Sequence, residues 1–129
     1  MAITHVHTAG WARGNDNRSG RREITVELEK NFEVTVPAGT TDMEVTIDID
    51  VSELTSLYIK ATNEDVTLET NDGTTPADTL ALKADQGHAW HNQDITANPL
   101  GTDVTAVFLT NAGTTDSVVS FFAGVDATP

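Results

Sequence analysis

The sequence predicts an all-β protein: a single antiparallel β-sandwich, of jelly-roll or immunoglobulin-like type, with an extended N-terminal arm. From residue 23 onward, apolar residues alternate with polar ones in short runs, which is the pattern of half-buried strands. These runs recur about every eight to twelve residues and are separated by segments rich in Gly, Pro, Asn and Asp. No stretch gathers helix-forming residues at the spacing of a helix face.

The first 22 residues, MAITHVHTAGWARGNDNRSGRR, show no sustained period and contain three glycines. We therefore expect residues 1–22 to form an extended arm that is poorly ordered in the isolated protein. This arm carries four arginines and one acid, a net charge of +3. Tryptophan and arginine are favoured anchors of protein interfaces, so the arm is predicted to bind a partner. Its candidate partner-binding residues are Trp11, Arg13, Arg18, Arg21 and Arg22.

The sandwich domain is predicted to span residues 23–129, with alternation that is clearest in MEVTIDIDV (43–51), where acids separate the apolar residues. The other expected strands are EITVELE (23–29), FEVTV (32–36), SLYIKA (56–61), VTLET (66–70), TLALK (79–83), HAWH (88–91), DVTAVFLT (103–110) and SVVSFFAG (117–124). The expected turns are PAGTTD (37–42), NDGTTPAD (71–78), NPLGTD (98–103) and NAGTTD (111–116).

The last two predicted strands are apolar on both faces, which is typical of a strand that is central in the core or covered from outside. The surplus suggests a subunit interface. Its candidate residues are Val107, Leu109, Phe121 and Phe122.

Composition narrows the function classes. The 129 residues suit one domain, and they include no cysteine, so disulfides, thiol nucleophiles and cysteine-bound zinc are excluded. Residues 23–129 hold nineteen acids and three lysines, a net charge of −16, which repels nucleic acid and anionic membranes. No apolar run approaches the length of a membrane span, and the N-terminus lacks a signal-peptide pattern. We expect synthesis in a cytoplasm and no cofactor.

The stretch GHAWHNQD (87–94) raises the question of a metal site because it holds two of the four histidines. His5 and His7 share one side of an extended chain, but His88 and His91 are three residues apart and face opposite sides of a strand. A zinc site needs three or four converging ligands. We therefore interpret the stretch as a strand with its exit loop and expect no metal.

Acidic residues offer two further alternatives. Asp72 and Asp78 lie in a loop that lacks the spacing of a calcium-binding loop, so Asx turns explain it more simply than a weak calcium site. The pairs Asp48/Asp50 and Glu27/Glu29 alternate with apolar residues and are expected to be solvated rather than catalytic. The sequence also has no G-x-S-x-G nucleophile elbow and no glycine-rich phosphate loop. We therefore expect a protein that is not an enzyme.

Two aromatic residues keep a second function open. Tyr58 and Trp90 are the candidate stacking residues of a carbohydrate-binding sandwich, with or without calcium. Such modules usually expose two or three aromatics on one face, whereas aromatics make up only 5% of this chain.

Beyond residue 54 the chain has a recognisable pattern. It reads LYIKATNEDVTLETNDGTTPADTLALKADQGHAWHNQ and then NPLGTDVTAVFLTNAGTTDSVVSFFAGVDATP. This pattern resembles the small β-sandwich virion proteins of tailed bacteriophages, the capsid decoration or cement type. The likeness covers roughly residues 55–129 and rests on the TLETNDGTTPADTLAL-to-AWHN stretch and the DVTAVFLTNA strand.

The resemblance implies a non-enzymatic protein on the outer surface of a virion, bound to the major capsid protein. Proteins of this family are often acidic, rich in threonine and free of cysteine, and many are homotrimers. Many grip the capsid with an N-terminal arm, a role for which residues 1–22 are suited. A tail or baseplate component is the alternative within the same resemblance, which carries no catalytic residues.

Overall fold

The computed structural model describes residues 3–126, so the outermost residues of both predicted domains lie outside the described part. Ten strands follow one another with a single 3-10 turn and no longer helix among these residues. Their bounds are β1 Ile3–Arg13, β2 Asp16–Val26, β3 Leu28–Val36, β4 Thr40–Ile49, the 3-10 turn Val51–Glu53, β5 Leu54–Thr62, β6 Val66–Thr70, β7 Thr79–Leu82, β8 His88–His91, β9 Val104–Asn111 and β10 Ser117–Val125.

Strands β3 to β10 form two four-stranded antiparallel sheets, in the orders β3-β10-β5-β8 and β4-β9-β6-β7. The pairs β3·β10, β4·β9, β5·β8 and β6·β7 are nested, as in one long hairpin folded at the β6–β7 loop. Rolling that hairpin brings β10 beside β5 and β9 beside β6, which is the topology of a jelly roll. The predicted all-β sandwich is confirmed.

The core lies between the two sheets and is built from the residues that alternation turns inward. In β5, for example, Leu57, Ile59 and Ala61 are buried, whereas the alternate residues lie on the outer face. The rings of Phe32 and Phe121 stack in this core, with centroids 5.1 Å apart. Strands β9 and β10 each have a neighbouring strand on both sides within their sheet, and the hairpin covers the outer face of β10 at Gly124.

The N-terminal segment was expected to be an extended, poorly ordered arm, and the structure describes it as a paired hairpin. Strands β1 and β2 pair over their whole length, from Ile3 with Val26 to Arg13 with Asp16, and form a separate two-stranded hairpin. Its two-residue turn is possible because Gly14 adopts a φ of 58°. The predicted boundary at residue 22 falls inside β2.

The run EITVELE was predicted as one strand, and that prediction is wrong. A bend at Glu27 separates β2 from β3, so that Leu28 is exposed while Ile24 and Val26 are buried. Neither buried residue joins the core between the two sheets. They lie instead where the hairpin packs on the outer face of the β3-β10-β5-β8 sheet, because a Cβ built on Gly124 of β10 would meet the Val26 side chain.

Candidate functional site

The distal half of the hairpin exposes both of its faces to solvent. From Ala9 to Gly20 nearly every residue is exposed, and Trp11 keeps 54% of its surface accessible. The guanidinium carbon of Arg13 lies 5.7 Å from the centroid of the Trp11 ring, within the range of a cation–π contact. The far end of the hairpin therefore presents a flat aromatic group flanked by positive charge.

The other three arginines of the predicted partner-binding set lie along β2. Arg18 is the register partner of Trp11 and forms an ion pair of 2.8 Å with Asp16. Arg21 forms an ion pair with Glu23, also at 2.8 Å. Arg22 differs because it donates a hydrogen bond to Gln93, a residue of the sandwich. It therefore contributes to holding the hairpin, whereas Trp11, Arg13 and Arg18 lie beyond the contact with the body.

The hairpin and the rest of the chain carry opposite net charges. Residues 3–26 contain four arginines and two acids, a net charge of +2, which leaves −15 for the remainder of a chain whose total is −13. A basic, aromatic hairpin thus stands on a strongly acidic sandwich. Opposite charges on two parts of one molecule favour binding of the basic part to acidic surfaces.

The base of the hairpin covers a row of outer-face residues. Glu29, Gly124, Ser56 and His91 are register neighbours on β3, β10, β5 and β8, so they form one line across the sheet. The absence of a side chain at Gly124 lets β1 and β2 approach closely: a Cβ there would lie 2.5 Å from Val26 Cγ1 and 3.0 Å from His5 Cε1. Ser56 is consequently only 1% exposed although it faces away from the core.

Two histidines of β1 meet Ser56. His5 Nδ1 and His7 Nε2 each lie 2.7 Å from Ser56 Oγ, and His5 Nε2 lies 2.8 Å from a Glu29 carboxylate oxygen. A carboxylate only accepts, so His5 Nε2–H is the donor to Glu29. In neutral His5, Nδ1 then accepts the Ser56 hydroxyl proton, and His7 Nε2–H donates to Ser56 Oγ.

His91 completes the group on the other side of His7. The two rings meet edge to face with centroids 5.0 Å apart, and His91 Nδ1 accepts a hydrogen bond from the Gln93 amide. The pKa of His7 is lowered from 6.5, chiefly by burial and then by His91 and His5, while Asp94 opposes the shift. We call His5, His7, His91, Ser56 and Glu29 the histidine cluster.

The chain from Ser56 through His5 to Glu29 has the residue types of a serine-hydrolase relay. A nucleophile must be reachable by the substrate carbonyl, and Ser56, which lines the groove between β1 and the sheet, is almost fully buried there. Its oxygen is also held by two imidazoles at once. In this arrangement the hydrogen bonds of Ser56 join β1 to the sheet.

The geometry of the described residues also gives no support for a metal site. The described residues contain no group of three or more His, Cys, Asp or Glu side chains arranged to hold a metal ion. His88 points away from the cluster, with Nε2 2.9 Å from the Ala81 carbonyl oxygen, in agreement with the expected opposite facing of His88 and His91. GHAWHNQD is a short strand with its exit loop, as predicted.

The acidic loops form turns. Asp72 accepts hydrogen bonds from the Thr74 amide and the Thr75 hydroxyl, and Asp78 accepts one from the Gly101 amide. The Asx-turn interpretation is therefore confirmed for Asp72. The expectation that Glu29 is merely solvated is wrong, because this residue pairs with His5.

The burial of the predicted subunit-interface residues shows which of them a partner could contact. Phe121, Val107 and Leu109 are fully buried between the sheets and cannot meet a partner in the folded protein. Phe122, the next residue along β10, lies on the outer face and is 37% exposed. Of the four candidates, Phe122 alone is available for such a contact.

The two candidate glycan-binding aromatics do not share a face. Trp90 packs against the core, and its indole N–H donates to the Thr96 carbonyl oxygen at 3.1 Å. Tyr58 lies on the outer face, where it lines a groove of about 330 Å³ between β1 and the sheet together with Val6, Ala89 and Phe122. Tyr58 and its register neighbour Phe122 are the exposed aromatics of this groove, and Trp90 is not part of it, so Tyr58 and Trp90 do not form the platform predicted from the sequence.

Sequence reasoning missed Ser56, Glu29 and the joint role of the histidines. The signal was present in ITHVHT, where histidines alternate with other residues over one face of β1. Because those sheet-facing positions are polar, the run gave no hydrophobic period. The Gly14–Asn15 pair was the other available signal, since it is a favoured two-residue hairpin turn.

Comparison with known proteins adds no relative. No protein-family model matches the chain, and neither a curated protein nor a solved structure matches it significantly. Among the described residues, no helix has the length and hydropathy needed to cross a bilayer.

Proposed function

We propose that this protein is a non-enzymatic structural component of a tailed-bacteriophage virion, a capsid decoration protein that binds the major capsid protein lattice and stabilises the head. The observation that carries the proposal is the basic hairpin with its exposed Trp11, raised on an acidic jelly roll. The resemblance of residues 55–129 to cement proteins supplies the phage setting, and the expected site is the outer surface of a capsid made in the host cytoplasm.

The hairpin is suited to gripping a partner. Its distal half is free of the body, holds a large flat side chain in the open and places Arg13 and Arg18 beside it. Buried tryptophans and arginines supply most of the energy at protein interfaces. The partner surface that complements the hairpin is an acidic one with an apolar pocket for the indole.

Stabilisation of a shell would follow from mass action. A protein that binds the assembled lattice and not its separated subunits raises the free energy needed to disrupt that lattice. Many copies, or a trimer of this chain, would strengthen the effect by engaging several sites at once. The outer-face residues Phe122 and Tyr58 are the part of the sandwich surface suited to contact between copies.

The test is binding to empty heads of the encoding phage assembled without this protein. Trp11→Ala should weaken binding by about 30-fold or more, the size of a hot-spot loss. Its melting temperature should be unchanged because Trp11 is exposed. The matched control is Ile95→Ala, which removes a fully exposed apolar side chain from the body and should bind like the wild type.

Two results would count against the proposal. Wild-type protein that fails to bind the heads would remove the decoration role. Binding that Trp11→Ala leaves unchanged would remove the hairpin as the gripping element. Light scattering on the free protein gives the number of copies, for which we expect a trimer.

A further inference from the structure

The hairpin is attached to the sandwich by side-chain hydrogen bonds that involve titratable groups, as well as by apolar packing. His5 and His7 both bond to Ser56, and His5 also pairs with Glu29. The aliphatic part of the contact includes Ile24 and Val26, which are both buried, and Val26 lies against Gly124 of β10. A contact of this composition depends on the protonation state of its members.

The Ser56 hydroxyl fixes the arrangement of hydrogen atoms in the cluster. With both imidazoles neutral, His7 Nε2–H donates to Ser56 Oγ, and His5 Nδ1 accepts from the hydroxyl. A protonated His7 would keep its donor to Ser56 but would place a positive charge against the edge of the His91 ring.

The charges around His7 come from every element packed against it. His5 lies on the same strand, His91 on β8, Asp94 in the loop after β8, Glu29 on β3 beyond His5, and Tyr58 on β5 lines the adjacent groove. Arg22 is the register partner of His7 on β2. Arg21 lines the same groove as His7, so a charged His7 would lie near two guanidinium groups and the carboxylate of Asp94.

We propose that the histidine cluster is an acid-sensitive latch: His7, while neutral, holds the hairpin on the sheet, and its protonation releases the hairpin while the jelly roll stays folded. The core of the jelly roll contains no histidine, so acid acts on the hairpin contact first. A released two-stranded hairpin is marginally stable in water and would lose its protection from solvent.

The direction of the pH effect follows from linkage. His7 has a pKa in the docked hairpin below its free value of 6.5, because burial and the neighbouring histidines disfavour its charged form. Release therefore takes up a proton. Docking is fully stable above pH about 6.5 and weakens as the pH falls below it, by up to about 30-fold at pH 5 for one such group.

The latch does not depend on the proposed function, because it is a property of the isolated chain. The test is amide hydrogen exchange on the free protein at pH 7.5 and pH 5.0, expressed as protection factors so that the intrinsic pH dependence of exchange is removed. We expect β1 and β2 to lose about tenfold or more of their protection at pH 5.0. Strands β5, β9 and β10 should keep theirs.

Two variants alter the proton uptake of the latch and keep its hydrogen bonds. His7→Gln removes the imidazole that takes up the proton, and His91→Asn removes a neighbour that lowers the pKa of His7. In His7→Gln the side-chain amide can still donate to Ser56, and in His91→Asn the carbonyl oxygen can still accept from the Gln93 amide. Both should remain docked at pH 7.5 and lose less hairpin protection at pH 5.0 than the wild type. The matched control is His88→Gln, which lies outside the cluster and should behave as the wild type does.

Hairpin protection that is independent of pH would overturn the proposal, as would loss of hairpin and sandwich protection together in one global step. A loss in His7→Gln and His91→Asn equal to that of the wild type would also overturn it. If one variant is undocked already at pH 7.5, the other decides. Failure to bind phage heads would leave this result unaffected.

Discussion

Replacing Gly124 with alanine tests directly how the hairpin sits on the sandwich. A Cβ at this position would lie 2.5 Å from Val26 Cγ1 and 3.0 Å from both Val26 Cβ and His5 Cε1. Carbon atoms in contact prefer separations of about 3.5–4.0 Å, so the hairpin must move outward by about 1 Å. Rotating the Val26 side chain would relieve the first contact but not the contact to its Cβ.

The expected cost is that of an overpacked site, about 1–3 kcal/mol. Because 1.4 kcal/mol is a factor of ten, the docking equilibrium should fall by about 5- to 150-fold. The loss should fall on the hairpin alone, since Gly124 faces β1 and β2 on the outer side of the sheet. Hydrogen exchange of β1 and β2, set against that of β5 and β9, measures it.

Gly20→Ala is the control, because a Cβ there meets nothing within 4 Å. It should leave hairpin protection at or slightly above the wild-type value, since alanine reduces the entropy of the unfolded chain. Adding Val26→Ala to Gly124→Ala should restore part of the lost docking, and the non-additivity of the pair measures the contact. If Gly124→Ala is no more harmful than Gly20→Ala, the hairpin is not seated as described.

Three further predictions concern the sandwich and are read from urea unfolding. Phe121→Ala should cost about 3–5 kcal/mol because its ring is fully buried, whereas the exposed Phe122→Ala should cost less than about 1 kcal/mol. Asn111→Ala should cost about 1–3 kcal/mol, since two carbonyl oxygens lose their donor. The Ala84 amide and then Lys83 lower the pKa of Asp65 below 3.8, so its contribution is present above pH 3.8 and lost as the pH falls through the lower folded value. In Asp65→Asn, the free energy of unfolding should therefore decrease less as the pH is lowered below 3.8.

The jelly-roll strands could be predicted because their burial follows their sequence. In β4, Met43, Val45, Ile47 and Ile49 alternate with polar residues, and the more buried position in each pair is the apolar one. Strand order could not be predicted in the same way, because each sheet joins strands far apart in sequence. The pairing of Phe32 with Phe121, for example, closes a loop of most of the chain.

The histidine cluster could not be predicted from the sequence, and the reason is physical. Ser56 sits in a strand whose other face is aliphatic, and its side chain would be an ordinary exposed hydroxyl without the hairpin above it. Only the docking of β1 makes it a buried acceptor for His5 and His7. A residue whose role depends on contact with another element has no pattern in its own stretch of sequence. Core residues, by contrast, are recognised by the alternation of apolar and polar positions.

The polar character of the latch has a consequence for how the hairpin is used. An aliphatic contact of the same size would hold the hairpin at any pH, whereas the proposed latch opens when His7 takes up a proton. The buried cluster between the two sheets contains no histidine, so opening of the hairpin need not unfold the sandwich. Under the proposed latch, the hairpin that carries the exposed Trp11 and its arginines opens at acid pH before the jelly roll unfolds.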